Sequence, residues 1–134
     1  MIIDSSALIA IVRREPDAPV YAHAHALATA AELRISAATF VEAGIVADGG
    51  RDPVAMRLYD NLIAGSNIVV EPFTAEQAHF AREAHRDFGR GSGHPARLNF
   101  GDCMTYALVK VTGLPLLYKG DDFAQTDVAS ASAP

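Results

Sequence analysis

The chain has 134 residues, half of them hydrophobic and 20% charged, which suits one domain with a real core and excludes general disorder. Its net charge is −5 and its pI about 5.4. That sign argues against a passive nucleic-acid-binding module, which gains affinity by neutralising phosphates, and suits a protein whose acids hold divalent cations.

The single cysteine, Cys103, leaves no partner for an internal disulfide and fits a reducing, intracellular setting. Met1-Ile2-Ile3 runs into Asp4 without a basic or long apolar leader. No stretch approaches the roughly 18 consecutive apolar residues of a membrane helix. A cytoplasmic protein with no membrane partner is expected.

In chain order, Met1-Ile2-Ile3 reads as a short buried strand ending at Asp4. Ser5-Ser6 are placed to cap a helix that runs to about Arg14, where Glu15-Pro16 breaks it. Val20 to Glu32 is Ala-rich and helical, and Leu33 to Ser36 alternates as a second strand. Thr39 to Ala47 is helical and is stopped by Gly49-Gly50. Pro53 opens a helix to Ala64, being well placed for a first turn. Asn67 to Glu71 is β-branched and reads as a third strand. Thr74-Ala75-Glu76-Gln77 is a capping-box pattern that opens a helix to about Phe88. Gly89 to Pro95 reads as a flexible loop. Asn99 or Gly101 begins a helix to about Thr112, and Leu114 to Tyr118 reads as a fourth strand.

Strands alternating with helices imply an α/β fold with a central, mostly parallel sheet flanked by helices. The spacing predicts one domain over residues 1–128, with a flexible tail at 129–134.

In such sheets ligands bind beyond the carboxyl ends of the strands. Asp4 stands at one such end, and Asp121 follows the fourth strand through Lys119-Gly120. Asp102 lies in the first turn of its helix, and Glu42 sits one turn beyond Thr39, so those two share a face. Like-charge repulsion makes four gathered carboxylates costly. Mg²⁺ or Mn²⁺, hard cations that prefer oxygen ligands, offsets that cost and can activate water at a phosphodiester. Any one acid after a strand can equally be a helix cap; the pattern carries the argument.

Three stretches carry a resemblance to a known family: Met1-Ile2-Ile3-Asp4-Ser5-Ser6-Ala7-Leu8, then Ile35-Ser36-Ala37-Ala38-Thr39-Phe40-Val41-Glu42, then Leu98-Asn99-Phe100-Gly101-Asp102-Cys103 through Ala107 with Leu116 to Phe123 and Thr126-Asp127. In order and spacing they cover nearly the whole chain, and the chain resembles the PIN-domain family and, within it, the VapC toxins of toxin–antitoxin pairs. The resemblance implies a three-layer α/β/α sandwich that cleaves RNA, often a tRNA, with Mg²⁺ or Mn²⁺. It implies a homodimer neutralised by a VapB-like antitoxin. By position it makes Asp4 and Asp102 the primary metal ligands and Glu42 and Asp121 the acids that complete the site or orient water. Ser6 becomes a helper that positions water at the metal. Asp121 and Asp122 are adjacent and only one can face the metal; Asp121 is preferred, because Asp122-Phe123 reads as the start of a short helix that Asp122 caps.

Arg13, Arg14, Arg90 and Arg97 are candidates for touching RNA phosphates or the antitoxin, against the simpler reading of solvated charges. The five histidines show no zinc spacing, and the Gly89–Gly93 loop lacks the strand and the Lys-Ser/Thr ending of a phosphate loop. Two other function classes compete. A phosphatase of the haloacid dehalogenase type needs a second acid two residues after the first, where Ser6 stands. A non-catalytic binding module sits poorly with four acids all in place.

Overall fold

The structure is a computed structural model and describes residues 1–22 and 32–131. The elements are β1 (Ile2–Ile3), α1 (Ser5–Val12), β2 (Arg34–Ser36), α2 (Ala37–Gly49), α3 (Pro53–Gly65), β3 (Val69–Glu71), α4 (Ala75–Phe88), α5 (Phe100–Thr112) and β4 (Leu116–Leu117), followed by a 3₁₀ turn at Phe123–Gln125. Residues 18–22 are helical, as expected for the start of the Ala-rich segment; the rest of that segment up to residue 31, with His23 and His25, lies outside the described residues.

All strand pairings are parallel, and the sheet order is β3-β2-β1-β4. Successive strand residues face opposite sides of a sheet, and here that alternation builds two cores. Ile2 and Leu116 face one side and pack with Ala84, Leu98, Met104 and Leu108 of α4, α5 and the segment between them. Ile3, Ile35 and Leu117 face the other and pack with Leu8, Val12, Ala43 and Tyr59 of α1 to α3. The result is the expected three-layer α/β/α sandwich.

The strands are shorter than their hydrophobic runs. Asn67, Leu114, Pro115 and Tyr118 lie outside them, and Asn67 has a left-handed φ of 51° that no strand accommodates. Helix α2 begins at Ala37, two residues before Thr39, because two alanines of high helix propensity directly follow β2. Pro53 takes the first turn of α3 with Asp52 as its cap. Thr74 caps α4 by accepting from Gln77 N, but the reciprocal half of the box is absent: Gln77 Nε2 donates instead to Pro72 O at 3.1 Å.

Two expectations of looseness are corrected. The 89–95 loop is tied down: Arg90 N donates to Leu98 O, Leu98 N to Phe88 O, and Ser92 Oγ to Gly89 O, while the His94 ring meets Phe88 edge-on at 4.9 Å. The tail does not begin at 129. Leu116 N donates to Ala129 O and Ala131 N to Leu116 O, so residues up to 131 cover the outer side of edge strand β4, whose unpaired backbone would otherwise stand open. No helix among the described residues is long and apolar enough to cross a membrane.

Candidate active site

The order β3-β2-β1-β4 places neighbouring strands β1 and β4 where the chain's winding reverses, and their carboxyl ends open a crevice. Asp4 leaves β1 at that point, and the loop carrying Asp121 and Asp122 leaves β4 at the same point.

Asp4 is the N-cap of α1, a role the sequence reading assigned to Ser5-Ser6. It is 98% buried, with a relative exposure of 2%. Oδ2 accepts from Ser6 N at 3.0 Å and from Ser6 Oγ at 2.6 Å, and Oδ1 accepts from Thr105 Oγ1 at 2.7 Å. The Thr105 proton points at Asp4, so in the 2.9 Å contact between Thr39 and Thr105 it is the Thr39 hydroxyl that donates. Asp4 is therefore fixed from both sides, by a Thr39–Thr105 relay and by Ser6. On the far side of Ser6, Lys119 N donates to Ser6 Oγ at 3.0 Å.

Asp102 belongs to the capping box of α5. Asn99 N donates to Asp102 Oδ2 at 3.0 Å, and Asp102 N donates to Asn99 Oδ1 at 2.8 Å. Both aspartates thus sit at positive helix N-termini, which favour negative charge. That is not enough for Asp102. Burial above all pushes its carboxyl up to about 6; the Asn99 amide pulls it down, and the charges of Asp4, Asp122 and Glu42 push it further up.

Glu42 projects from α2 and accepts from Ser5 Oγ at 3.0 Å. Its carboxyl is also raised, by burial first and by Asp4, with the Ser5 bond opposing. It lies against Gly101 of α5, where a Cβ would stand 1.8 Å from Oε2. Glycine at 101 is what lets α2 deliver a carboxylate to the N-terminus of α5.

The structure thus brings Asp4, Glu42 and Asp102 into one electrostatic unit. Of the adjacent pair after β4, it is the charge of Asp122 that contributes to raising Asp102. Both side chains are exposed. Asp122 holds the N-cap position of the 3₁₀ turn, but its side chain makes no cap hydrogen bond, contrary to expectation. Its backbone is already helical (φ −61°, ψ −55°), whereas a side-chain cap needs the extended conformation. Its carboxylate is therefore not engaged by the turn.

Asp127 stands apart, bound to Tyr106 OH at 2.7 Å and Lys110 Nζ at 2.8 Å. The four arginines are exposed and are not drawn into the acidic unit. Arg13 and Arg14 line a cavity of about 520 Å³ with Val12, Val46, Asp52 and Val54, at the far end of α1 from Asp4. Arg90 and Arg97 lie on the loop before α5.

Thr105 and Gly101 are the functional residues that sequence reasoning passed over. Thr105 had a signal: it lies three residues after Asp102, on the same helical face. Phe100, at the start of α5, is 78% exposed and borders an apolar pocket with Phe73, Ala81, Cys103 and Met104 that none of the acids lines.

Among the described residues, no three His, Cys, Asp or Glu side chains are grouped as a ready-made metal cage. The carboxylate oxygens point instead at internal donors: Ser6 and Thr105 for Asp4, Ser5 for Glu42, Asn99 for Asp102. The donor chemistry nonetheless fits a hard divalent cation. It is all oxygen, it is partly buried, and two of its acids are raised, by burial first and by their neighbours' charge second, a cost that a bound cation would offset.

The PIN domain family model matches residues 1–129. VapC ribonuclease Mb0625 of Mycobacterium bovis and ribonuclease VapC28 of Mycobacterium tuberculosis are each 56% identical over 131 residues, covering 98% of this chain and 97% of theirs. Ribonuclease VapC42 of Mycobacterium tuberculosis is 47% identical, with 98% of both chains covered. The crystal structure of Mycobacterium tuberculosis VapC20, a sarcin–ricin-loop-cleaving toxin, superposes with a TM-score of 0.73 over 96% of this chain and 95% of that one; at 16% identity it speaks for the fold alone. With a match of this length and relatives this similar from end to end, the chain belongs to the PIN-domain family and, within it, to the VapC ribonucleases.

Proposed function

We propose that this protein is the ribonuclease toxin of a toxin–antitoxin pair, an endonuclease that hydrolyses RNA phosphodiesters with Mg²⁺, or Mn²⁺ in its place. The observation that carries the reading is the coupling of Asp4, Glu42, Asp122 and Asp102, from four separate stretches of chain, at the carboxyl ends of β1 and β4. Asp4, Asp102 and Glu42, with Asp122 or Asp121, would hold the cation. When bound, it supplies positive charge to the phosphate oxygens and acidifies water.

The protein's own part is placement and charge control. Asp4 is locked by Ser6 and by the Thr39–Thr105 relay, so its carboxylate would be presented to the cation in a fixed orientation. Asp102, with its pKa near 6, is ionised at neutral pH yet sits close to its protonation point. Glu42 is held by Ser5 at Oε1 and packed against Gly101 at Oε2, so its carboxylate is fixed beside the N-terminus of α5, where it would complete the cation site or orient water.

The names of the relatives support RNA as the substrate class and a VapB-type antitoxin as the partner. We further propose a homodimer acting in the cytoplasm. The test is cleavage of total RNA with Mg²⁺ or Mn²⁺, compared with Asp4→Asn and Asp102→Asn. Loss of cutting in both is expected, and full activity in either would remove that residue from the site. Co-expression with the product of an adjacent small open reading frame should suppress cleavage and yield a complex on size exclusion.

A further inference from the structure

The chain leaves β4 at Leu117, whose carbonyl accepts Asp4 N at 2.9 Å. Two residues on, Lys119 N donates to Ser6 Oγ, and Ser6 Oγ donates to Asp4 Oδ2. The main chain at 119 is thereby one hydroxyl away from the buried aspartate. The Lys119 side chain reaches the other way. Its ammonium donates to Asp17 Oδ1 at 2.9 Å and to Glu15 Oε2, both just beyond the end of α1. Gly120 then turns the chain at φ +101°, Asp121 and Asp122 follow, and Phe123 is buried against Tyr118 with ring centroids 5.4 Å apart. The acid-bearing residues 120–122 hang between two anchors, an aromatic plug at Phe123 and an ionic tie at Lys119.

Taking the proposed ribonuclease site as given, we infer that Lys119 is a positioning residue: it clamps the loop after β4 to both ends of α1, and so fixes Asp121 and Asp122 relative to Asp4. A surface ion pair by itself contributes little. Here the same residue is tied at its ammonium and at its main chain, and glycine follows it. Releasing the ammonium leaves the loop with one flexible turn between Ser6 and Phe123. The competing role for a lysine on such a rim is a direct contact with an RNA phosphate. Two carboxylates already hold this ammonium, which favours the clamp.

The test uses Glu15→Gln/Asp17→Asn, Asp17→Asn alone, Lys119→Met and Lys119→Arg in the full chain. Three readouts are taken: hydrogen exchange of residues 118–124, Mn²⁺ affinity by titration calorimetry, and steady-state RNA cleavage. For the double variant and for Lys119→Met the clamp predicts exchange across 119–122 faster by about tenfold. It also predicts Mn²⁺ binding weaker by about threefold to tenfold and kcat lower by about tenfold to a hundredfold, with KM nearly unchanged. Lys119→Arg should recover most of each loss. Asp17→Asn should move exchange in the same direction by less, and it serves if the double variant folds poorly. Wild-type exchange and Mn²⁺ affinity in the double variant would overturn the clamp. So would a rise in KM confined to Lys119→Met, which would make Lys119 a phosphate contact. If the wild type neither binds Mn²⁺ nor cuts RNA, the ribonuclease reading falls, and the exchange rates alone decide whether Lys119 holds the loop.

Discussion

Replacing Gly101 by alanine should separate activity from stability. The new Cβ would lie 1.8 Å from Glu42 Oε2, 2.6 Å from its Cδ and 2.8 Å from Oε1. Real Cβ contacts essentially never fall below 3.0 Å, so the carboxylate must withdraw by more than about 1 Å. What it meets is the end of a flexible side chain, so the backbone is spared. Position 101 lies in the first turn of α5, where alanine in place of glycine also lowers the entropy of the unfolded chain, stabilising by up to about 1 kcal/mol. Thermal unfolding should therefore show unchanged or slightly raised stability. RNA cleavage should fall by about a hundredfold, because a displacement of that size at a reacting group costs about that much, equivalent to about 3 kcal/mol of barrier. Glu42→Gln supplies the second arm. If Gly101 acts by admitting Glu42, the double variant should be hardly worse than either single one. Wild-type cleavage by Gly101→Ala, or losses that multiply in the double variant, would refute the reasoning.

Thr105→Val keeps the shape of the side chain and removes the proton given to Asp4 Oδ1, leaving Thr39 without its acceptor. A stability loss of about 1–3 kcal/mol is expected by chemical denaturation, with Thr105→Ser recovering it. The raised Asp102 pKa gives a pH signature. Its folded value of about 6 lies above the ordinary 3.8, so between those values the folded state holds more protons than the unfolded chain, and metal-free stability falls as pH rises through that window. Two units on a partly screened group amount to about 1–3 kcal/mol. Mn²⁺ should raise the melting temperature more at pH 7.5 than at pH 5, and an equal rise at both would deny that the acids bind it. For the fourth acid, Asp122→Asn should lower cleavage more than Asp121→Asn and should also lower the apparent pKa of Asp102, read by NMR; the reverse ranking would restore Asp121.

What was legible in the sequence was whatever follows from strand and helix order. Once strands alternate with helices, the acids at the ends of β1 and β4 must share a rim, which is why Asp4 and the Asp121–Asp122 loop could be placed together. A helix start at Asn99 or Gly101 put Asp102 in a first turn, and that is where it sits, in a capping box with Asn99. The features that were missed depend on distances no pattern encodes. Gly101 reads as an ordinary helix-start glycine until α2 is seen to drive Glu42 into it. Thr105 is one more polar residue in an apolar helix until it meets Asp4, 101 positions away. The choice between Asp121 and Asp122 turned on a cap, and the backbone at 122 is already helical, so the cap never forms. The end of the chain reads as disordered because Ala-Ser repeats lack a hydrophobic pattern, yet Ala129 and Ala131 bind β4 through main-chain groups, which have no sequence signal.

The hydroxyls and the proposed cation would do different work at this rim. Ser6, Thr105, Ser5 and the Asn99 amide satisfy the lone pairs of the three inner carboxylates and fix where each points. Burial raises Asp102 and Glu42 more than these hydrogen bonds lower them, and the neighbouring charges, which neutral donors cannot cancel, raise both further. Serines and threonines orient acids without neutralising them. A lysine in the midst of the acids would neutralise them and leave nothing for a cation to do. The ammonium nearest the site, that of Lys119, is held by Glu15 and Asp17 outside the acidic unit. The rim is thereby left ordered and negative, the state in which a divalent cation has most to gain by binding.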